Sequence, residues 1–347
     1  MNVQFSSILI ALITTFIMIS LLRPAAVRLK LTDQPNDRKL HNGSVPLIGG
    51  IAMFFGLIVS ILVTSHDLNE FKYFLLASLI IVFIGVLDDY HDISISIRLL
   101  FQVLVAIVIV TAGGMNIASL GNLFGSGEII ITKWSYLISV VAIIAGINAV
   151  NMGDGLHGLA GGNSLVSFLA ISYMSFNSAA QDSLLISLLF CAVLPVFLIN
   201  NLCIGVSTKK RIFMGDAGSM LIGLSLAWVL LDFSQGEDQS FSPVIVLWLF
   251  SFPLIEIIST ILRRLALGKS PFHSDLYHSH HLLLKLGFSE KKTLMIIILF
   301  SVIMVIIGIL GERYLIAESL MFIGFLLVFL MYFLARGLAL RKIKNIS

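Results

Sequence analysis

Residues 72–92 read KYFLLASLIIVFIGVLDDYHD: an apolar run, Phe74 to Leu87, closed by Asp88, Asp89 and Asp92. A run of that length and composition reads as a membrane helix whose acids stand at its watery end. On a helix Asp88 and Asp92 are four residues apart and share a face, with Asp89 about 100° round, so unpaired they repel one another. A divalent cation is the simplest partner. The competing reading is a set of solvated helix-end charges, but adjacent Asp residues are poor helix formers and bring like-charge cost with no visible benefit.

Working outward, the remainder of the chain has the same character. Of 347 residues 58% are hydrophobic and 12% charged, and the mean hydropathy is +1.02. That excludes a soluble enzyme and nucleic-acid binding, and the recurring runs of about 20 apolar residues point to one polytopic helical bundle over 1–347. The two cysteines, Cys191 and Cys203, have neither the spacing nor the company of a disulfide or metal site. The first run, Val3 to Leu22, is too long for a signal-peptide core and lacks a basic leader, so it is expected to be a retained span.

Eleven spans are predicted, at 3–22, 47–65, 72–90, 97–114, 133–151, 158–176, 183–201, 217–235, 243–262, 293–311 and 319–335. Alternate connections hold 19 Lys and Arg against 3 on the other side. The positive-inside rule therefore puts the amino terminus outside and the carboxyl terminus in the cytoplasm. Seven of the eight histidines fall on the basic side with every motif-like acid, so the working face is expected to be cytoplasmic. Span interiors are nearly uncharged; Glu256 is the main exception, placed to line a pocket or to pair within the bundle.

Four further constellations lie on that face. DQPNDRKLHNGSVPLIGG (33–50) sets Arg38, Lys39 and His41 ahead of Gly49-Gly50, which suits anionic head groups or a diphosphate and equally suits topology-setting charge. GINAVNMGDGLHGLAGGNS (146–164) spaces Asn148, Asn151, Asp154 and His157 by threes among glycines that permit close approach of a ligand or of helices. In KKRIFMGDAGSMLIG (209–223) Asp216 opens a span, where it could cap the helix or supply a metal ligand from a second helix. RRLALGKSPFHSDLYHSHH (263–281) gathers Arg263, Arg264, Asp275, His278, His280 and His281. It lacks the Cys pair or HExxH frame of a zinc site and better suits a grip on a diphosphate.

Together DQPNDRKLH with PLIGG, DDYHD, NAVNMGDGLHGL, FMGDAGS and SPFHSDLYHSHH, in that order between these spans, resemble the polyprenyl-phosphate N-acetylhexosamine-1-phosphate transferase family. The DxxHxHH form at 275–281 resembles its WecA-like undecaprenyl-phosphate N-acetylglucosaminyl branch more than the MraY branch. The resemblance implies an all-α membrane bundle of eleven spans in the bacterial cytoplasmic membrane. Its catalytic loops would lie at about 23–46, 88–98, 148–163, 202–219 and 263–292. It implies transfer of N-acetylglucosamine 1-phosphate from UDP-N-acetylglucosamine to undecaprenyl phosphate with Mg²⁺ or Mn²⁺, releasing UMP. This would be the first membrane step of a cell-surface polysaccharide such as O antigen; another UDP-N-acetylhexosamine or a deoxyamino sugar is the alternative donor, and a homodimer is compatible with the family.

By the same resemblance Asp88 and Asp89 form the acidic catalytic pair and, with Asp216, hold the metal. Asn148, Asn151, Asp154 and His157 would hold the nucleotide. Lys39, Arg263, Arg264, Asp275, His278, His280 and His281 would grip the rest of the donor, with Arg38, His41 and Asp92 in support. One departure stands out: where the family usually reads DGxDGL, this chain has His157, which can donate as well as accept. A phosphate monoester has its second pKa near about 6, so the acceptor needs little help from a base and neutralising two anions is the harder task. Single-step in-line attack is expected, with a covalent aspartyl-phosphate as the alternative. The rival from another class, a secondary transporter, usually binds near the bilayer midplane on broken helices, whereas these acids sit at span ends on one side.

Overall fold

The structure, a computed structural model, describes residues 2–34, 43–65, 67–236, 239–270 and 277–344. In lipid a backbone N–H or C=O has no water to bond, so each apolar run satisfies its own hydrogen bonds as a helix. In chain order these are α1 (Asn2–Leu29), α2 (Gly49–Thr64), α3 (Lys72–His91), α4 (Ile95–Thr111), α5 (Ser135–Gly153), α6 (Leu159–Met174) and α7 (Gln181–Asn201). They are followed by α8 (Gly215–Ser234), α9 (Ile245–Leu249), α10 (Ser251–Ala266), α11 (Ser279–Lys285), α12 (Glu290–Arg313) and α13 (Glu318–Lys344). By length and composition α1, α3, α5, α7, α8, α12 and α13 can cross a membrane, and α2, α4 and α6 are shorter apolar helices. The chain is a multi-pass helical membrane protein. A two-residue antiparallel pair, β1 (Thr32–Asp33) with β2 (Val45–Pro46), is the small exception to an all-helical description.

Ten of the eleven expected spans fall on single helices; the ninth is divided at Phe250 into α9 and α10. Pro253 supplies the reason, because it has no N–H to return to the Leu249 carbonyl. That carbonyl accepts instead from Ser167 Oγ of α6 at 2.7 Å. The last helix also runs past its expected end, so Arg336, read from sequence as a tail charge, lies within α13 and is buried.

α8 is the axis of the bundle, buried along nearly its whole length against α2, α3, α5, α6 and α7. Aromatic contacts fill the core around it, with Phe74 edge-on to Trp228 at 5.5 Å and Phe168 stacked on Phe190 at 4.5 Å. α1 and α13 are peripheral and turn Phe5, Phe16, Leu21, Leu330, Met331 and Leu334 outward, the apolar surface that a lipid-facing helix requires.

Candidate active site

The site is framed by helices that meet backbone to backbone. A Cβ on Gly50 of α2 would lie 2.2 Å from Gly218 N of α8, and one on Gly85 of α3 would lie 2.3 Å from Ala217 Cα. Small residues allow this approach, which in lipid is held by packing more than by apolar burial. The chain entering α8 is also tied to the start of α2, with Gly49 N donating to Phe213 O and Gly50 N to Met214 O, both at 2.9 Å. The last turn of α3 is thereby set against the first turn of α8.

Asp89, and not Asp216, caps α8. Its Oδ1 accepts from Asp216 N at 2.8 Å and its Oδ2 from Ala217 N at 3.3 Å, which places a carboxylate on the positive end of the helix. Gly215 makes room: it has φ +72°, and a Cβ there would lie 2.3 Å from Asp89 Oδ2. Relieved of capping, the Asp216 side chain faces its neighbours. Its Oδ1 accepts from Asn151 Nδ2 at 2.5 Å, and its Oδ2 lies 3.7 Å from Arg98 Nη1. Arg98, on the first turn of α4, also donates from Nη1 to the buried Asp88 Oδ2 at 2.5 Å. One guanidinium therefore joins two carboxylates from α3 and α8. Asp92 stands apart, exposed, ending α3 in the left-handed conformation that Asp tolerates.

Only the first step of the threefold spacing lies on α5, which carries Asn148 and Asn151; Asp154 ends the helix and His157 lies beyond it, so the four do not form one helical face. Asn151 also donates to Ser219 Oγ at 3.0 Å, while Asn148 donates to Gln102 Oε1 of α4 at 2.6 Å and to Ile144 O at 2.8 Å. Asp154, just past the helix end, is open to solvent yet ringed by protein. Burial by that ring, reinforced by Asp216, pushes its carboxyl up to about 7. Three residues on, His157 lies against Phe213, and its Nε2 is 3.1 Å from Arg211 Nη1. Arg cannot accept, so Nε2 accepts and the proton is on Nδ1.

The histidine segment reaches the same cleft. A Cβ on Gly155 would lie 2.2 Å from His280 Nε2, so His280 packs directly on the loop carrying Asp154. Burial first, then the neighbouring His281 and His278, pushes the His280 imidazole down to about 3. His281 stands 4.1 Å from His280, ring to ring, and His278 is turned away onto Glu256. Arg263 lies over the Tyr277 ring at 4.7 Å, and Arg264 is buried. Arg38, Lys39, His41 and Asp275 lie outside the described residues.

Among the described residues no three His, Cys, Asp or Glu side chains gather into a closed metal cage. Mg²⁺ does not need one, since it is commonly held by one or two carboxylates, substrate phosphates and water. Asp88 and Asp216, hard oxygen donors from two helices with Asp154 and Asp89 nearby, fit Mg²⁺ or Mn²⁺. Gln102, Ser219 and Arg211 were not marked out as site residues in the sequence. A lone Gln inside the apolar run of α4 is the signal that would have found the first; Arg211 stands in the sequence only as one of the basic residues of the 202–216 connection.

The profile of Glycosyl transferase family 4 matches residues 71–234, which hold the Asp pair, the Asn and glycine segment and Asp216. The undecaprenyl-phosphate alpha-N-acetylglucosaminyl 1-phosphate transferase of Yersinia pestis is 38% identical over 312 residues, 89% of this chain and 85% of that protein. The protein of the same name from Escherichia coli (strain K12) is 37% identical over 312 residues, covering 89% and 84%. That from Haemophilus influenzae is 38% identical over 327 residues, covering 94% and 92%. With the acids, the Asn–Asp contact and the histidine segment brought to one end of one bundle, and this similarity running almost end to end, the chain belongs to glycosyl transferase family 4.

Proposed function

We propose that this protein transfers N-acetylglucosamine 1-phosphate from UDP-N-acetylglucosamine to undecaprenyl phosphate, giving undecaprenyl-diphospho-N-acetylglucosamine and UMP. The observation that carries this is the shared name of relatives matching about nine tenths of the chain, together with the carboxylates that Arg98 joins across α3 and α8. The excess of Lys and Arg on the loops at that end supports a cytoplasmic site in the bacterial inner membrane. The product would begin a cell-surface polysaccharide such as O antigen.

In this reading Asp88 and Asp216 would hold Mg²⁺ or Mn²⁺, which when bound would neutralise phosphate charge and polarise the phosphoryl oxygens. Arg98 supplies fixed positive charge to the same region and offsets part of the repulsion between the two carboxylates. Asp89 acts by aiming Asp216 through the α8 cap, and Asn151 fixes the Asp216 carboxylate in rotation. Asp154, His157 and Arg211 line the nucleotide end, and His280 and His281 hold the diphosphate of the donor. The lipid phosphate, already largely dianionic at neutral pH, attacks in line with Asp88 orienting it.

The test is UMP release by the purified chain from UDP-N-acetylglucosamine, undecaprenyl phosphate and Mg²⁺, run beside a panel of UDP-N-acetylhexosamines and deoxyamino sugars. Release from none of them would sink the proposal. His157, paired with Arg211 where the family usually carries Asp, favours one variant reading, in which the chemistry is unchanged and another donor of the panel is preferred.

A further inference from the structure

Glu256 is a charge inside an apolar helix, and such a group persists in lipid only when it is fully partnered. It is 4% exposed, and both of its oxygens are engaged. Oε1 lies 3.0 Å from His278 Nδ1 and accepts from Ser279 N at 3.1 Å; Oε2 accepts from Ser279 Oγ at 2.7 Å and from the Tyr332 hydroxyl. Arg336 completes the group at 3.9 Å from Oε1. Its Nη2 donates to Thr260 Oγ1 at 3.0 Å and to the Tyr277 carbonyl at 2.8 Å, and its Nη1 donates to Ser259 Oγ.

These contacts join three elements. Glu256, Ser259 and Thr260 belong to α10, Tyr332 and Arg336 to the otherwise peripheral α13, and between them lies the backbone that starts α11. Next after Ser279, along a chain held at Tyr277 O, His278 and Ser279 N, comes His280, 3% exposed and packed on Gly155 beside Asp154. Among the described residues its Nε2 has no hydrogen-bond partner, so the ring is held by packing and by the backbone that carries it, with no polar contact at that atom.

We infer that Glu256, Tyr332 and Arg336 form a positioning clamp that sets the register of residues 277–281 and so holds His280 and His281 in the donor site. The role as a donor site rests on the transferase reading above; the clamp itself does not. α13 then contributes to the reaction across the bundle without touching substrate. A purely structural buried ion pair would hold α10 to α13 alone, whereas here the two helices close on backbone groups of the segment between α10 and α12.

Two readouts test this on the full-length protein in lipid nanodiscs. Diethyl pyrocarbonate labelling, followed by mass spectrometry, should modify His280 at least about fivefold faster in Glu256→Gln and in Tyr332→Phe, with His157 unchanged as internal control. Labelling of His280 at the wild-type rate overturns the clamp, and equal acceleration at His157 overturns it by showing general loosening. In UMP release each variant should lose at least about tenfold in kcat, and the loss should vanish in a His280→Ala/His281→Ala background, where neither ring is left to position. Losses that multiply with the double substitution overturn the inference. Should Glu256→Gln fail to fold, Tyr332→Phe, which removes one hydroxyl, and Arg336→Lys, which keeps the charge, carry the same comparison. If the wild type releases no UMP from any donor, the transferase reading fails and labelling alone decides the clamp.

Discussion

Asp89 and Gly215 together give the sharpest test of how the site is built. Asp89→Ala removes the acceptor for two N–H groups at the start of α8, and Gly215→Ala drives a methyl to 2.3 Å from the same carboxylate at φ +72°. Loss of a cap typically costs about 0.5–2 kcal/mol, and each charge-assisted hydrogen bond is worth about 1.5–3 kcal/mol before water replaces it. These terms overlap, so about 2 kcal/mol is expected for Asp89→Ala, or roughly 4 °C in melting temperature for a chain of this size. Gly215→Ala adds about 1 kcal/mol for a left-handed alanine and should match or exceed it. Asp89→Asn keeps one acceptor and should cost about half. Asp88→Ala leaves behind an Arg98 that is partly exposed and still faces Asp216, so it should melt within about 2 °C of wild type while losing the most activity. The assay is intrinsic-fluorescence melting in nanodiscs alongside UMP release. If Asp89→Ala melts with the wild type, or Asp88→Ala proves the less stable of the two, the division between a capping and a reacting carboxylate is wrong.

Three further outcomes follow from the geometry. Arg98 shares the space of the expected cation, so Arg98→Gln should lower the Mg²⁺ concentration for half-maximal UMP release by about threefold or more even as kcat falls; a rise would contradict the placement. Asp154 titrates at about 7 in the folded state, above its ordinary range, so the fold binds a proton there that the unfolded chain does not. Stability in chelator should therefore fall as pH rises toward 7, and Asp154→Asn should flatten that fall; an identical melting profile in the variant would refute it. His157→Asp would place a carboxylate against Arg211, so activity within about threefold of wild type is expected; a loss beyond tenfold would mean the imidazole is required.

How much of this was legible beforehand differs by element. Apolar runs located the apolar helices, because length and composition largely determine what can lie in lipid. The Phe250 break was missed, since 243–262 reads as one apolar span despite Pro253, and its remedy, Ser167, is distant in sequence. Asp88, Asp89 and Asp216 were readable as acids at span ends, and Asn148 to His157 as a polar segment. Their roles were not, because a carboxylate at a helix start looks the same whether it caps that helix or is aimed away from it.

The linear chain determined the class: a helical membrane protein, its acids and histidines concentrated at span ends on the basic side, with motifs that resemble one transferase family. The tertiary structure decided which partner each charge has. Asp89 caps a helix more than a hundred residues away, Arg98 joins Asp88 to Asp216, and Glu256 and Arg336 meet across α10 and α13. The physical reason is range. Helix formation and membrane partition depend on residues within a few turns, whereas the desolvation of a charge is offset only by groups that packing brings from elsewhere in the chain.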